Sequence, residues 1–380
     1  MLKKSRNDGE TVVSGKNDSI YYCFVIGNYG NYNIGDEILL KEIVYRFSSK
    51  LHEQTIFFVP TRNPNFVDKY HKELRGLLKP ISLFNPAEVF KGLIRSKLII
   101  VGGGGIWSRY TGNLARFIPI VVLFARAMRK RTCYESIGMY STASKMQRFL
   151  VNLSILFVDE CSVRDLETLD MIWKSSRART ILVDDLSLPY IRRNQNRDSN
   201  DFQGKIKEYS YIMDKRNKGK LIIGLSLKAF ISRDLTTILM SEVSTAINSL
   251  SRKYGDRLYF VFFPFAETNS ISENDLFLVN DILKGKKNAN ENFLIIDHTH
   301  PLLWFTAIRD LVDIFIGMRY HSVIFTLAAR KPLLCIPYEN KVKQVLISKN
   351  KDSAIICVIS PEELSSHDII NFVEGHIRDW

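Results

Sequence analysis

Short apolar runs rich in β-branched and aromatic residues alternate along the chain with longer stretches in which apolar positions recur every three or four residues. In the first half, runs at 21–26, 55–59, 98–101, 132–137, 161–163 and 181–183 predict strands. Between the first two, Leu39, Leu40, Ile43, Val44 and Phe47 share one face of a helix, which predicts a βαβ opening. The pattern stops at 192–201, where RRNQNRDSND offers no apolar side chain to a core. It restarts with a strand at 221–225 and a helix that gathers Leu235, Ile238, Leu239, Ala246, Ile247 and Leu250 on one face. Further strands are expected at 259–263, 293–296, 314–316, 333–336 and 355–358, and Ser270 with Glu273 has capping-box spacing for an intervening helix. The fold class read from this alternation is α/β, with two Rossmann-like, doubly wound domains facing across a cleft. Their expected spans are 1–195 and 215–380, with a polar linker over 192–218. Ligands in open α/β sheets sit outside the carboxyl ends of the strands, so the site belongs in the cleft.

Composition narrows the partners. Of 380 residues, 46% are hydrophobic, which excludes a disordered chain, and no apolar run reaches the ~18 residues needed to span a bilayer. The balance of 53 Lys and Arg against 40 Asp and Glu, +13, favours an anionic partner: nucleic acid, a membrane surface or a phosphorylated small molecule. The basic residues are scattered without zinc-finger spacing or an aromatic RNA-binding motif, so no nucleic-acid partner is expected. The densest basic stretch is 114–131, where Arg116, Arg126, Arg129, Lys130 and Arg131 flank the apolar run 117–125. A buried helix with basic ends is the plainer reading, and an interfacial helix in peripheral membrane contact is the other. The N-terminus lacks the apolar segment of a signal peptide, and Cys23, Cys133, Cys161, Cys335 and Cys357 are odd in number, without a CxxC pair, and lie in or beside apolar runs. Buried, reduced thiols in a cytoplasmic protein are expected.

Three segments carry candidate chemistry. A glycine-rich turn with Gly30, Asn33 and Asp36 follows the first strand, but matches neither a dinucleotide nor a P-loop pattern. Its alternatives are a polar ligand at a helix N-terminus and a tight turn with Asp36 near the cap. The run 102–105, with Gly103 and Gly104 at its centre, points to close approach of a ligand or the opposite domain, and Ser136 and Gly138 are expected on the same edge. Arg319, His321 and Ser322 lie between a strand and a helix, where a planar fork for carboxylate or phosphate and a group titrating near neutrality suit an anionic substrate that needs proton transfer. Arg164 with Asp165 reads as an ion pair or an anion contact, Lys228 as a phosphate contact, and Asp184 with Asp185 as a general base or a cap. Asp297, His298 and His300 are half of a metal site, so no metal is expected.

In order along the chain, GNYG at 27–30, NIGDE at 33–37, GGGG at 102–105, SVRD at 162–165, GLSLK at 224–228, GMRYHS at 317–322 and IPYENKV at 336–342 resemble the polysaccharide pyruvyl transferase family. The resemblance implies a GT-B type fold and transfer of a pyruvyl group from phosphoenolpyruvate to a sugar of a surface-polysaccharide precursor, forming a ketal without a cofactor. It implies Arg319 as clamp for the donor, His321 as general acid or base, and substrate contacts from Gly30, Asn33, Asp36, Gly103, Gly104, Arg164, Lys228, Ser322 and Lys341. Two departures from the family pattern stand out: Lys228 where many members carry Arg, and Tyr338-Glu339 where Tyr-Asp is common. Whether the saccharide acceptor is free, nucleotide-linked or lipid-linked stays open. The competing readings are a glycosyltransferase using a nucleotide-sugar and a non-catalytic saccharide-binding protein.

Overall fold

The apolar runs of the first half become a seven-stranded parallel sheet in the computed structural model, which describes residues 20–51, 54–108, 114–196, 206–230, 232–268, 274–284, 292–296, 301–349 and 356–377. Its strands are β1 (Tyr21–Ile26), β2 (Thr55–Thr61), β3 (Leu78–Ser82), β4 (Leu98–Trp107), β5 (Arg131–Met139), β6 (Glu160–Val163) and β7 (Thr180–Leu182), in the order β3-β2-β1-β4-β5-β6-β7. The second sheet holds β8 (Leu221–Ser226), β9 (Leu258–Phe262), β10 (Phe293–Ile295), β11 (Ile314–Gly317), β12 (Leu333–Cys335) and β13 (Ile356–Val358), in the order β10-β9-β8-β11-β12-β13. Both orders reverse beside the first strand of the sheet, between β1 and β4 and between β8 and β11, which opens a crevice at the carboxyl ends of those strands.

Central strands such as β8 and β9 are buried along their whole length, as expected where helices cover both faces. On one face of the first sheet Phe24, Ile99 and Val101 pack against Ile118, Val122 and Val151; on the other Val25 and Ile100 meet Leu40, Ile43 and Phe47. In the second domain one core crosses the boundary: Ile34 and Ile38 of the helix Ile34–Leu51 join Tyr259, Phe263, Trp304 and Phe325. The Ile34 N–H donates to the Phe265 carbonyl and the Glu267 N–H to the Tyr32 carbonyl, so the N-terminus of that helix is anchored on the second domain.

Several expectations are corrected. β3 escaped the pattern because it is an edge strand carrying Lys79 and Pro80, residues an edge tolerates. β4 does not stop at residue 101; it continues through the four glycines to Trp107. The polar linker is shorter than 192–218, since Lys207–Asn217 is a helix whose Tyr209 and Ile212 are buried in the second core. The 114–131 stretch splits into the helix Leu114–Ala127 and the start of β5, with Ile118, Val122 and Ala125 inside and Phe117, Ile120 and Phe124 outside. Ser270 and Glu273 lie outside the described residues; the helix Asp275–Leu283 has Asn274 at its cap, accepting from the Leu276 N–H at 2.9 Å. No described helix is long and apolar enough to cross a membrane. Cys23, Cys133, Cys161 and Cys335 are buried free thiols, and Cys357 is partly buried.

Candidate functional site

The first domain contributes the turn after β1. Gly30 donates its N–H to Glu37 at 2.6 Å, and the other Glu37 oxygen meets His71 Nε2 at 2.7 Å. Burial and the Lys41 charge push His71 down to about 3, so the imidazole of this fully buried pair is neutral. Gly30 therefore spends its amide on the turn itself. Asn33 accepts from the Gly35 N–H at 3.0 Å and its backbone pairs with Ala266 of the second domain. Asp36, in the first turn of the helix, accepts from Asn28 Nδ2 at 2.8 Å. Burial raises its carboxyl to about 6, against the opposing pull of His321, Asn28 and Arg164.

The glycine run serves the same cluster from below. Gly103 and Gly104 have φ of +73° and +92°, open to glycine without strain, and a Cβ at Gly104 would meet Asp36 Oδ1 and Leu39 at 3.2 Å. What approaches these glycines is the helix of their own domain, and the run pairs with β5 rather than forming a loop. Ser136 and Gly138 lie inside β5, and Gly138 leaves room for Arg164, whose Nε would stand 2.7 Å from a Cβ there.

Arg164 is the hinge of the charge cluster. Its Nη1 donates to Asp185 at 3.0 Å, its Nε lies 3.4 Å from Asp165, and its guanidinium stacks 4.7 Å from the ring of Tyr320 in the other domain. Asp185 also accepts from the Ser187 hydroxyl and N–H. Burial works against its charge, but His321, Arg164 and Ser187 hold the carboxyl well below the usual range. Asp165 caps the helix Leu166–Met171, so the Arg164-Asp165 motif is an ion pair with a cap. Asp184 pairs with Arg192 at 3.2 Å.

From the second domain, β11 ends at Gly317 and the helix Tyr320–Ala328 begins with His321 in its first turn. The imidazole Nε2 lies 3.7 Å from Asp185 Oδ1, beyond hydrogen-bond reach, while Nδ1 faces Gly35 so closely that a side chain there would overlap the ring. Arg319 is not the open fork expected. Its Nε meets both Asp275 oxygens at 3.1 Å and its Nη2 donates to Oδ1 at 2.6 Å, in a buried ion pair. Ser322 is fully buried with its hydroxyl on the Arg319 carbonyl at 2.7 Å, so it holds the turn rather than a substrate.

In front of this cluster lies a cavity of about 290 Å³ whose wall comes from both domains: Tyr140, Thr142 and Glu167 from the first, Lys228, Tyr338 and Lys341 from the second. The Lys341 ammonium donates to the Tyr140 hydroxyl at 2.6 Å, pairs with Glu339 at 3.1 Å and lies over three tyrosine rings, the nearest Tyr140 at 4.4 Å. Lys228 stands 5.3 Å above the Tyr338 ring. Two ammonium groups, hydroxyls and aromatic faces in one walled space suit a small anion beside a sugar ring.

The sequence-predicted residues thus fall into two layers. Lys228 and Lys341 are on the cavity wall; Asp36, Arg164 and Arg319 form a buried polar layer at the domain junction, with the partly buried His321 against it; Gly30, Asn33, Gly103, Gly104 and Ser322 shape the turns that carry them. Sequence reasoning missed Tyr140, Glu167 and Asp275. Tyr140 follows β5 directly, a position that could have flagged it; Asp275 is distant in sequence from Arg319 and gave no signal. Among the described residues no group of three His, Cys, Asp or Glu side chains could hold a metal ion, and Asp297, His298 and His300 lie outside the described residues.

Solved structures share this architecture at low identity. A putative UDP-N-acetylglucosamine 2-epimerase from Listeria monocytogenes superposes with a TM-score of 0.64 at 8% identity, covering 95% of this chain and 88% of that one. The S. aureus MnaA–UDP structure gives 0.59 at 13%, covering 94% and 87%, and the Neisseria meningitidis UDP-GlcNAc 2-epimerase bound to UDP-GlcNAc gives 0.58 at 11%, covering 94% and 91%. At these identities the likeness shows the fold, the two-domain α/β arrangement of GT-B proteins. No curated protein matches the sequence. The sequence profile of polysaccharide pyruvyl transferases matches residues 33–340, from the Asn33 turn to the Lys341 helix that closes the cavity, and the chain belongs to that family.

Proposed function

We propose that the protein transfers a pyruvyl group from phosphoenolpyruvate to two hydroxyls of a saccharide, forming a ketal and releasing inorganic phosphate. The observation that carries this reading is the presence of Lys228 and Lys341 together on the wall of one tyrosine-lined cavity, both over the ring of Tyr338, in a chain whose family is defined by pyruvyl transfer. Two ammonium groups match a donor that bears both a carboxylate and a phosphate. Arg319 meets the donor only by sharing its guanidinium with Asp275, so its first role is to hold the turn that presents His321.

In the reaction the methylene carbon of the donor gains a proton, and one acceptor hydroxyl bonds to C2. The second hydroxyl then bonds to C2 as the C2–O bond to phosphate breaks. One hydroxyl proton restores the acid and the other leaves with phosphate, which balances the step. His321 is the group that gives and regains the proton, with the Asp185 carboxylate 3.7 Å away to stabilise the imidazolium by charge. Asp36, poised near neutrality, is a second carboxyl for taking a hydroxyl proton.

The alternative donor is a nucleotide-sugar, suggested by two proteins of the same fold, one solved with UDP and one bound to UDP-GlcNAc. Calorimetric titration separates the two. Phosphoenolpyruvate is expected to bind the native protein and to bind Lys341→Met about 10–100-fold more weakly, the worth of one charge-assisted contact. Binding of a uridine or guanosine diphosphate sugar without phosphoenolpyruvate, tested with and without saccharide present, would overturn the proposal. Saccharide binding with no phosphate release would point to the non-catalytic reading.

A further inference from the structure

Three successive helices, Pro86–Arg95, Leu114–Ala127 and Lys145–Ile155, cover one face of the first sheet. Each buries one apolar stripe against the strands: Leu93 on the first, Ile118, Val122 and Ala125 on the second, Val151 and Ile155 on the third. Each also turns a second apolar stripe outward. On the middle helix Phe117, Ile120 and Phe124 recur at helical spacing and are 57%, 47% and 44% exposed. Phe90 and Ile94 flank them on the first helix, Met146 and Phe149 on the third, all exposed. The rings of Phe90 and Phe124 are 6.4 Å apart, so the outer stripes of the first two helices meet. A water-soluble face does not collect large apolar side chains at this density without something to cover them.

Charge identifies the cover. Between residues 84 and 157 the chain carries eleven Lys and Arg against two Glu, an excess of nine within a total of thirteen for the whole protein. Lys91, Arg95, Arg116, Arg129 and Lys145 are exposed and have no carboxylate partner among the described residues. Cations interleaved with outward Phe, Ile and Met fit the headgroup boundary of an anionic bilayer, where rings and methylenes enter the acyl edge and ammonium and guanidinium groups meet lipid phosphate. No described helix is long and apolar enough to cross, so the face lies on the bilayer.

We propose that this three-helix face docks the protein on an anionic membrane surface. The helices start at the carboxyl ends of their strands, and Tyr140 and Thr142 of the cavity wall lead into the third one. The docked face therefore borders the cleft, which, on the reading given under Proposed function, suits an acceptor presented from the bilayer. The docking itself does not depend on that reading.

The test is flotation of the full chain with vesicles of phosphatidylcholine alone or with phosphatidylglycerol, with no donor or acceptor present. Recovery with the anionic vesicles is expected to exceed that with neutral ones about tenfold or more, and to fall as salt is raised. Phe117→Ser with Phe124→Ser, and separately Arg116→Glu with Arg129→Glu, should each abolish it while leaving the urea midpoint unchanged, since all four side chains are exposed. Failure of the native protein to float at low salt, or flotation undiminished in both variants, would overturn the proposal. So would a native dimer that the serine variant converts to monomer without vesicle binding, which would make a second copy the occupant.

Discussion

The contact between Gly35 and His321 joins the two domains at the centre of the charged cluster, and Gly35→Ala tests it without any substrate. Gly35 is the second residue of a helix and is not in the left-handed region, so by backbone preference alone alanine should stabilise that helix by about 0.5–1 kcal/mol. A Cβ there would stand 2.7 Å from Cγ of His321 and closer still to Nδ1 and Cε1. Carbon atoms rest at about 3.5–4.0 Å, so the ring must retreat by about an ångström. Overpacking of this kind costs about 1–3 kcal/mol, which exceeds the helix gain. The single variant is therefore expected to lower the urea midpoint. In a His321→Ala background the obstruction is gone and the same substitution should raise it, a coupling of about 1–3 kcal/mol measured as a double-mutant cycle. A change of the same sign and size in both backgrounds would refute the assigned contact. Displacement of His321 by about an ångström should also cut phosphate release from phosphoenolpyruvate roughly 100-fold, because proton transfer depends on placement at that scale.

Asp275→Ala leaves the Arg319 guanidinium buried without its carboxylate and should cost about 3–5 kcal/mol in urea unfolding, with Asp275→Asn costing less because one acceptor remains. The Asp36 carboxyl sits near 6 in the fold against 3.8 when exposed, so the folded state binds the proton more tightly. The stability this confers is present below pH 3.8 and is lost as pH rises through 6, a change on the order of 3 kcal/mol. Asp36→Asn should accordingly be more stable than the native protein at pH 8 and lose that advantage by pH 4, as read from unfolding midpoints across pH. Burial pushes the Cys23, Cys161 and Cys335 thiols up to about 12, so an aromatic disulfide reagent should leave them unmodified in the native protein and react with them once urea unfolds it.

Local pattern and turn chemistry determined much of the molecule before any tertiary contact was considered. Runs such as 21–26 and 221–225 are apolar throughout because strands covered on both faces have no polar side to present, which makes parallel strands and their alternation with helices legible one segment at a time. The turns GMRYHS and IPYENKV were legible as site segments for a similar reason, since they join a buried strand to a helix and carry charge where a core has no use for it. The edge strand β3 was not, because an edge accepts Lys79 and Pro80 and loses the pattern. Only the tertiary structure decided which charges meet. Asp275 and Arg319 are 44 residues apart in sequence yet form one buried pair, and that pairing turns an expected substrate clamp into a fixed support. The same holds for Lys341 with Tyr140, for His321 against Gly35, and for the outward stripe Phe117, Ile120 and Phe124. Hydrophobic periodicity is a property of a single segment, whereas the partner of a charge and the exposure of an apolar face depend on which segments the folded chain brings together.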